Sequence, residues 1–151
     1  RVDRRQRQMC IRDSTKSMLA VWKEWKLDKL LFKAYNEGTV LAGVSAGAIC
    51  WFDTGITDSW ASNLNYIDCL GILPGSCCPH YDSEKDRRPS VHKFIEHEKI
   101  KSVYAIEDGA AIHFVDDAPY KNISFFKNSK VFFVDKQNSI VQEKPQKMVS
   151  I

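Results

Sequence analysis

The chain has 151 residues, 44% hydrophobic and 27% charged, which is the size and make-up of one globular domain. No apolar run reaches the roughly 18 to 20 residues of a membrane-spanning helix, and no secretory leader pattern opens the chain, so the expected location is cytoplasmic. The net charge of +3 sits entirely in residues 1–13, where five arginines face two aspartates.

A basic tract of that kind serves nucleic-acid binding in other proteins. Here RQMCIRDS resembles a translated sequencing-library adapter, so residues 1–13 are expected to be non-native and 14–151 to be a partial domain that has lost upstream sequence. With that tract set aside, no nucleic-acid partner is expected. Cys10, Cys50, Cys69, Cys77 and Cys78 are odd in number and irregular in spacing, which fits buried free thiols better than disulfides. Cys77, Cys78 and His80 lack a second ligand pair, so no metal is expected.

In chain order, Ser14 or Thr15 caps a first helix whose apolar stripe is Met18, Leu19, Trp22 and Trp25. A second helix, residues 27–36, groups Leu27, Leu30, Leu31 and Tyr35 and stops near Gly38. Residues 39–44 read as a β-branched strand that meets Ser45 inside Gly43-Val44-Ser45-Ala46-Gly47, with a helix over 46–52. That order puts a serine on a strained strand-to-helix turn, its hydroxyl raised beside the next helix's first amides. Cβ atoms at 43 and 47 are expected to collide with the crossing strand and helix. Residues 53–68 read as a polar loop with short pieces of structure, and 69–75 as a short extended run.

Pro79-His80-Tyr81-Asp82 and a charged segment, 83–88, lead to a helix over about 89–98 with Val91, Phe94 and Ile95 inward. A buried strand, 102–106, ends in Glu107-Asp108-Gly109. Residues 110–115, 121–126 and 130–135 form three short strands, and the tail from 137 an edge strand with a frayed end.

A serine hydroxyl is a weak nucleophile until a base takes its proton, and the base needs an acceptor on its far nitrogen. His92 and His97 belong to a charged helix face and His113 to an alternating strand, whereas His80 follows an extended apolar stretch at a convergence of polar residues. Glu107, Asp108 and Asp58 are the candidate acids; adjacent strand positions face opposite ways, so only one of the first two can reach the histidine. Arg87 and Arg88, seven and eight residues after His80, are candidates for gripping a substrate carboxylate, against the alternative of a solvated basic turn. No phosphate-cradling loop is visible and no cofactor is expected.

The ordered motifs GVSAGAICWF, PHYD with SEKDRR, and AIEDGAAI resemble the aspartyl dipeptidase (peptidase E) family of serine peptidases, whose relatives include cyanophycinase. The resemblance implies a flavodoxin-like three-layer α/β/α sandwich of the class I glutamine amidotransferase type, here lacking its first strands and ending in short β-strands. It implies Ser45 as nucleophile, His80 as base, Asp108 as orienting acid with Glu107 as the register alternative, and Asp58 as a further acidic position. The Ala46 amide and a glycine amide from a loop before the first helix would hold the oxyanion. In place of those glycines this sequence has Ile11-Arg12-Asp13, so a chain of this extent is expected to be impaired. The implied substrate is a small peptide, including dipeptides with N-terminal aspartate, and a homodimer is compatible. Two other readings stay open: an esterase that takes Asp58 as its acid, and a non-catalytic amidotransferase-like binding module.

Overall fold

Ser14 caps the first helix as expected, its Oγ accepting the Ser17 amide at 3.3 Å at the start of α1 (Thr15–Glu24). The computed structural model describes residues 14–59 and 63–150; the basic tract at 1–13, with Cys10, lies outside them. Lys26, in the left-handed region, turns the chain into α2 (Leu27–Asn36). Of the expected stripe on α1, Leu19 is buried and Trp22 meets Trp51 at 6.1 Å, but Trp25 is the C-cap and is exposed. The apolar side of α2 is only part-covered among the described residues: Leu27, Leu31 and Tyr35 are half-buried, Leu30 is exposed, and no residue of the helix is fully buried.

The expected strand at 39–44 has no regular structure and pairs with no strand among the described residues, and Val40 and Val44 are 89% and 84% exposed. β-branched composition favours extended backbone; a strand also needs a neighbour for its amides and carbonyls. The helix after Ser45 is a single turn, α3 (Ala46–Ile49), because the chain reverses at once into β1 (Phe52–Thr57). That strand, within the segment read as a loop, pairs antiparallel with β2 (Asn65–Asp68). Gly55 lets α3 settle onto β1, since a Cβ there would lie 2.9 Å from the Ile49 side chain. The run expected at 69–75 is mostly a connection, with Gly71 at φ +68°, and the strand itself is β3 (Leu73–Cys78).

Helix α4 (Arg87–Glu96) begins two residues before Pro89. Then follow β4 (Ser102–Ile106), β5 (Ala110–Val115), β6 (Ala118–Ser124), β7 (Val131–Gln137), β8 (Ile140–Pro145) and β9 (Met148–Ser150). One sheet has the order β2-β1-β3-β4-β7-β8, with β1, β3 and β4 parallel at its centre; β5, β6 and β9 form a second. The tail supplies the expected edge strand, β8, but its last residues pair in parallel with β6 as β9.

Alternation along β4 shows how the layers close. Val103 and Ala105 face a core with Ile56, Cys78 and Val134 under Val91 and Ile95 of α4, whereas Tyr104 and Ile106 face Ile49, Phe52, Cys77 and Phe114. Phe52 and Ile56 reach opposite faces because the β1 register shifts between Phe52 and Thr54. Adjacent Cys77 and Cys78 are free thiols split between the two cores, and burial pushes the Cys78 thiol up to about 12. The result is a mixed α/β fold, with α4 on one face of the central sheet and α3 with the smaller sheet on the other. β3 and β4 run parallel, so their carboxyl ends, followed by His80 and by Asp108, open at one rim.

Candidate active site

Three elements deliver one side chain each to that rim. Ser45 sits before α3 at φ 54°, ψ −117°, a backbone state rare for a residue with a Cβ. Gly43 makes this turn feasible, because a Cβ there would lie 1.9 Å from the Gly47 carbonyl oxygen. The same argument fails for Gly47, where a Cβ would meet nothing within 4 Å among the described residues. His80, two residues beyond β3, is also held left-handed at φ 56°.

The imidazole joins the other two groups. His80 Nε2 lies 3.0 Å from Ser45 Oγ, and Nδ1 lies 2.7 Å from Asp108 Oδ1. A carboxylate beside Nδ1 selects the tautomer with its proton there, leaving Nε2 to accept from the serine. Burial alone would raise the Asp108 carboxyl, but hydrogen bonds from Ser83 and His80 and the nearby Arg87 charge hold it below the ordinary carboxylate range. Its backbone is fixed on both sides: the Asp108 N–H donates to Asp82 Oδ1 at 2.8 Å, and the Ser129 hydroxyl donates to the Asp108 carbonyl at 2.7 Å. The Ala46 amide, at the first position of α3, is one of the N-terminal donors that a helix cannot satisfy internally.

Ser45, Ala46 and His80 line a cleft of about 440 Å³ together with Thr15, Asp58, Ser59, Glu84 and Arg87. Arg87 is buried; its Nε donates to Glu84 at 2.7 Å, Nη1 to the Ile56 carbonyl at 3.1 Å, and Nη2 lies 3.6 Å from Asp58. Asp58 therefore pairs with Arg87, and both nitrogens of His80 are engaged by other residues.

Glu107 and Arg88 point elsewhere. Glu107 accepts the Lys130 amide at 2.8 Å and lies 3.8 Å from Arg88, on the side of the chain away from His80. Arg88 pairs with Glu143 and stacks over Tyr81, outside the cleft. Successive residues at a strand end face opposite sides, as expected for the Glu107–Asp108 pair, and successive residues on a helix diverge by about 100°, so Arg88 leaves the cleft that Arg87 lines.

Sequence reading missed Asp82, Ser83 and Ser129 as supports of Asp108 and Thr15 and Ser59 as cleft residues. Asp82 and Ser83 belong to the same polar run that singled out His80, so that signal was present; Ser129 reads only as a turn residue.

Residues 14–120 match the model of peptidase family S51, and the chain belongs to that family. It is 49% identical over 121 residues to the uncharacterized peptidase YgaJ of Bacillus subtilis (strain 168), an alignment that takes in 80% of this chain and 52% of the relative. The chain thus spans about half the length of the curated relative it matches.

Proposed function

We propose that this member of peptidase family S51 contributes a serine-nucleophile site that hydrolyses small peptides in the cytoplasm, through an acyl-enzyme. The observation that carries the reading is a single imidazole in hydrogen-bond contact with a hydroxyl on one nitrogen and a carboxylate on the other. Ser45 Oγ attacks the scissile carbonyl while His80 Nε2 takes its proton, and Asp108 stabilises the imidazolium that forms. The Ala46 amide faces the negative charge that develops on the carbonyl oxygen. His80 then returns the proton to the leaving amine, and a water activated by the same base releases the acyl group.

Asp58 as triad acid would give an esterase-like order, and its partner is Arg87 rather than His80, which favours the peptidase reading over the esterase one. In this reading Arg87 is the cation for an acidic substrate side chain, and N-terminal aspartyl dipeptides are the preferred substrates. Glu84 and Asp58 already share its charge, so the preference is expected to be one of ranking rather than absolute.

Fluorophosphonate labelling with a Ser45→Ala control tests the chemistry: label lost with the serine supports it, and equal labelling of both proteins removes it. A dipeptide panel tests the specificity, with aspartyl substrates expected to exceed neutral ones in kcat/KM and Arg87→Lys expected to narrow the gap. Equal turnover of neutral dipeptides would defeat that part alone. A chain extended to the relative's length is expected to turn over faster than this one, since a second oxyanion donor is worth about 100-fold or more; comparable specific activity in both would refute the impairment.

A further inference from the structure

Behind the rim lies a second polar cluster that touches neither the cleft nor a reacting atom. Tyr81, the residue after His80, is 1% exposed and its hydroxyl donates to Glu143 Oε2 at 2.7 Å. Glu143, on the edge strand β8, also accepts from Arg88 and stands 2.9 Å from His92 Nε2. The Arg88 guanidinium lies over the rings of Tyr81, at 4.5 Å, and Phe132, at 5.0 Å, and its Nη2 is 3.8 Å from Glu107, the residue before Asp108. One cation thus bridges the residue after the histidine to the residue before the aspartate.

That placement answers a physical need. A left-handed histidine relaxes unless its surroundings over-determine it. The Tyr81 amide donates to the Ile106 carbonyl at 3.1 Å, which ties the ends of β3 and β4 together on the backbone. The side chains of residues 81 and 107 extend the tie through Arg88 of α4, outside the cleft. A half-buried ionic network of this kind adds little net stability over apolar residues, but it fixes orientation where apolar packing would allow sliding.

We infer that Glu143, acting with Arg88 through Tyr81 and Glu107, is a positioning residue that holds His80 and Asp108 in hydrogen-bonding register from outside the cleft. The inference rests on the triad reading above.

Its test uses the full chain with Tyr81→Phe, Glu143→Leu and Glu143→Gln, counting competent sites by fluorophosphonate titration and measuring kcat and KM per titrated site. Tyr81→Phe and Glu143→Leu should lower kcat per site about 10- to 100-fold, the scale of a sub-ångström to ångström displacement, with KM nearly unchanged. Glu143→Gln, whose amide oxygen still accepts from Tyr81, should recover most of the loss. Wild-type kcat per site with fewer titratable sites would mean a purely structural role and overturn the inference, as would equal effects of Gln and Leu. Should Glu143→Leu fail to fold, Tyr81→Phe, which removes a single oxygen, decides by the same criterion. Absence of labelling in the wild-type chain, or labelling that survives Ser45→Ala, overturns the triad reading and this inference together, an outcome distinct from normal labelling without a kcat effect.

Discussion

The two halves of the rim are held in place by different means. Ser45 follows a segment, 39–44, that pairs with no strand among the described residues and exposes Val40 and Val44, and its geometry is set locally. The Gly47 amide donates to the Val44 carbonyl at 2.9 Å, the Ile49 amide to the Ser45 carbonyl at 3.1 Å, and Gly43 lies against Gly47. His80 and Asp108 instead follow two paired central strands and are fixed by contacts from far along the chain: Asp82, Ser129, Ile106 and the Glu143 cluster. Both halves hold a left-handed non-glycine residue. One is held by steric exclusion over five residues, the other by tertiary bonds, so each should fail under a different kind of substitution.

The tertiary half should give the larger effect. Asp108→Asn keeps the shape but offers Nδ1 an amide in place of a carboxylate, and the wrong tautomer should lower kcat on the order of 10⁴-fold with little change in KM. Steady-state kinetics on a dipeptide checks this; a loss below tenfold would mean that Asp108 does not orient the base. The local half is probed by Gly43→Ala, whose Cβ would meet the Gly47 oxygen at 1.9 Å. The elbow must open, and fluorophosphonate labelling of Ser45 should slow by about 100-fold or more. Gly47→Ala has open space around its Cβ and should label within about twofold of wild type, the gain in helix propensity being about 0.5 to 1 kcal/mol. Equal damage at 43 and 47 would break the claim that sterics at a single glycine set the turn.

The motifs made Ser45 and His80 legible as candidates because each sits on a turn whose residue types are unusual: small residues around a serine, a proline before a histidine. The choice among acids needed the register of β4, since Glu107 and Asp108 differ only in which face they take. Arg87 and Arg88 could not be told apart without knowing where α4 begins, and the Pro89 signal placed its start two residues late. β1 was hidden because Asp53 and Gly55 are poor strand residues and the bulge after Phe52 breaks the period of two. Residues 39–44 gave the opposite error: their composition is that of a strand, but pairing is a property of the neighbour. Glu143 carries no signal in sequence, as its partners lie 51 to 62 residues away.

A smaller effect tests the electrostatics of the tertiary half. The Asp108 carboxyl titrates below its ordinary value in the folded chain, because the bonds from Ser83 and His80 and the Arg87 charge outweigh burial. A carboxyl depressed on folding contributes stability above its unfolded value, and that contribution is lost as pH falls through the folded one. Denaturant midpoints of wild type and Asp108→Asn should therefore differ near neutrality and converge as the medium becomes more acid than the ordinary carboxylate range. Its side chain is 45% exposed, so the difference should be small. A gap that widens in acid would have the wrong sign for this account.

The smallest effect lies in the wall of the cleft that both halves line, at the start of α1. Thr15 is fully buried at the cleft wall; its amide donates to Ser59 Oγ at 3.2 Å, and its own hydroxyl has no hydrogen-bond partner among the described residues. A buried hydroxyl without a partner keeps its desolvation cost, whereas a methyl of the same size in that place does not. Thr15→Val leaves the backbone bond and the volume intact and should raise the unfolding free energy by up to about 1 kcal/mol, read as a higher urea midpoint at unchanged slope. A lower midpoint would mean that the hydroxyl is satisfied by water or by chain outside the described residues, and that this wall of the cleft is more polar than its protein partners alone make it.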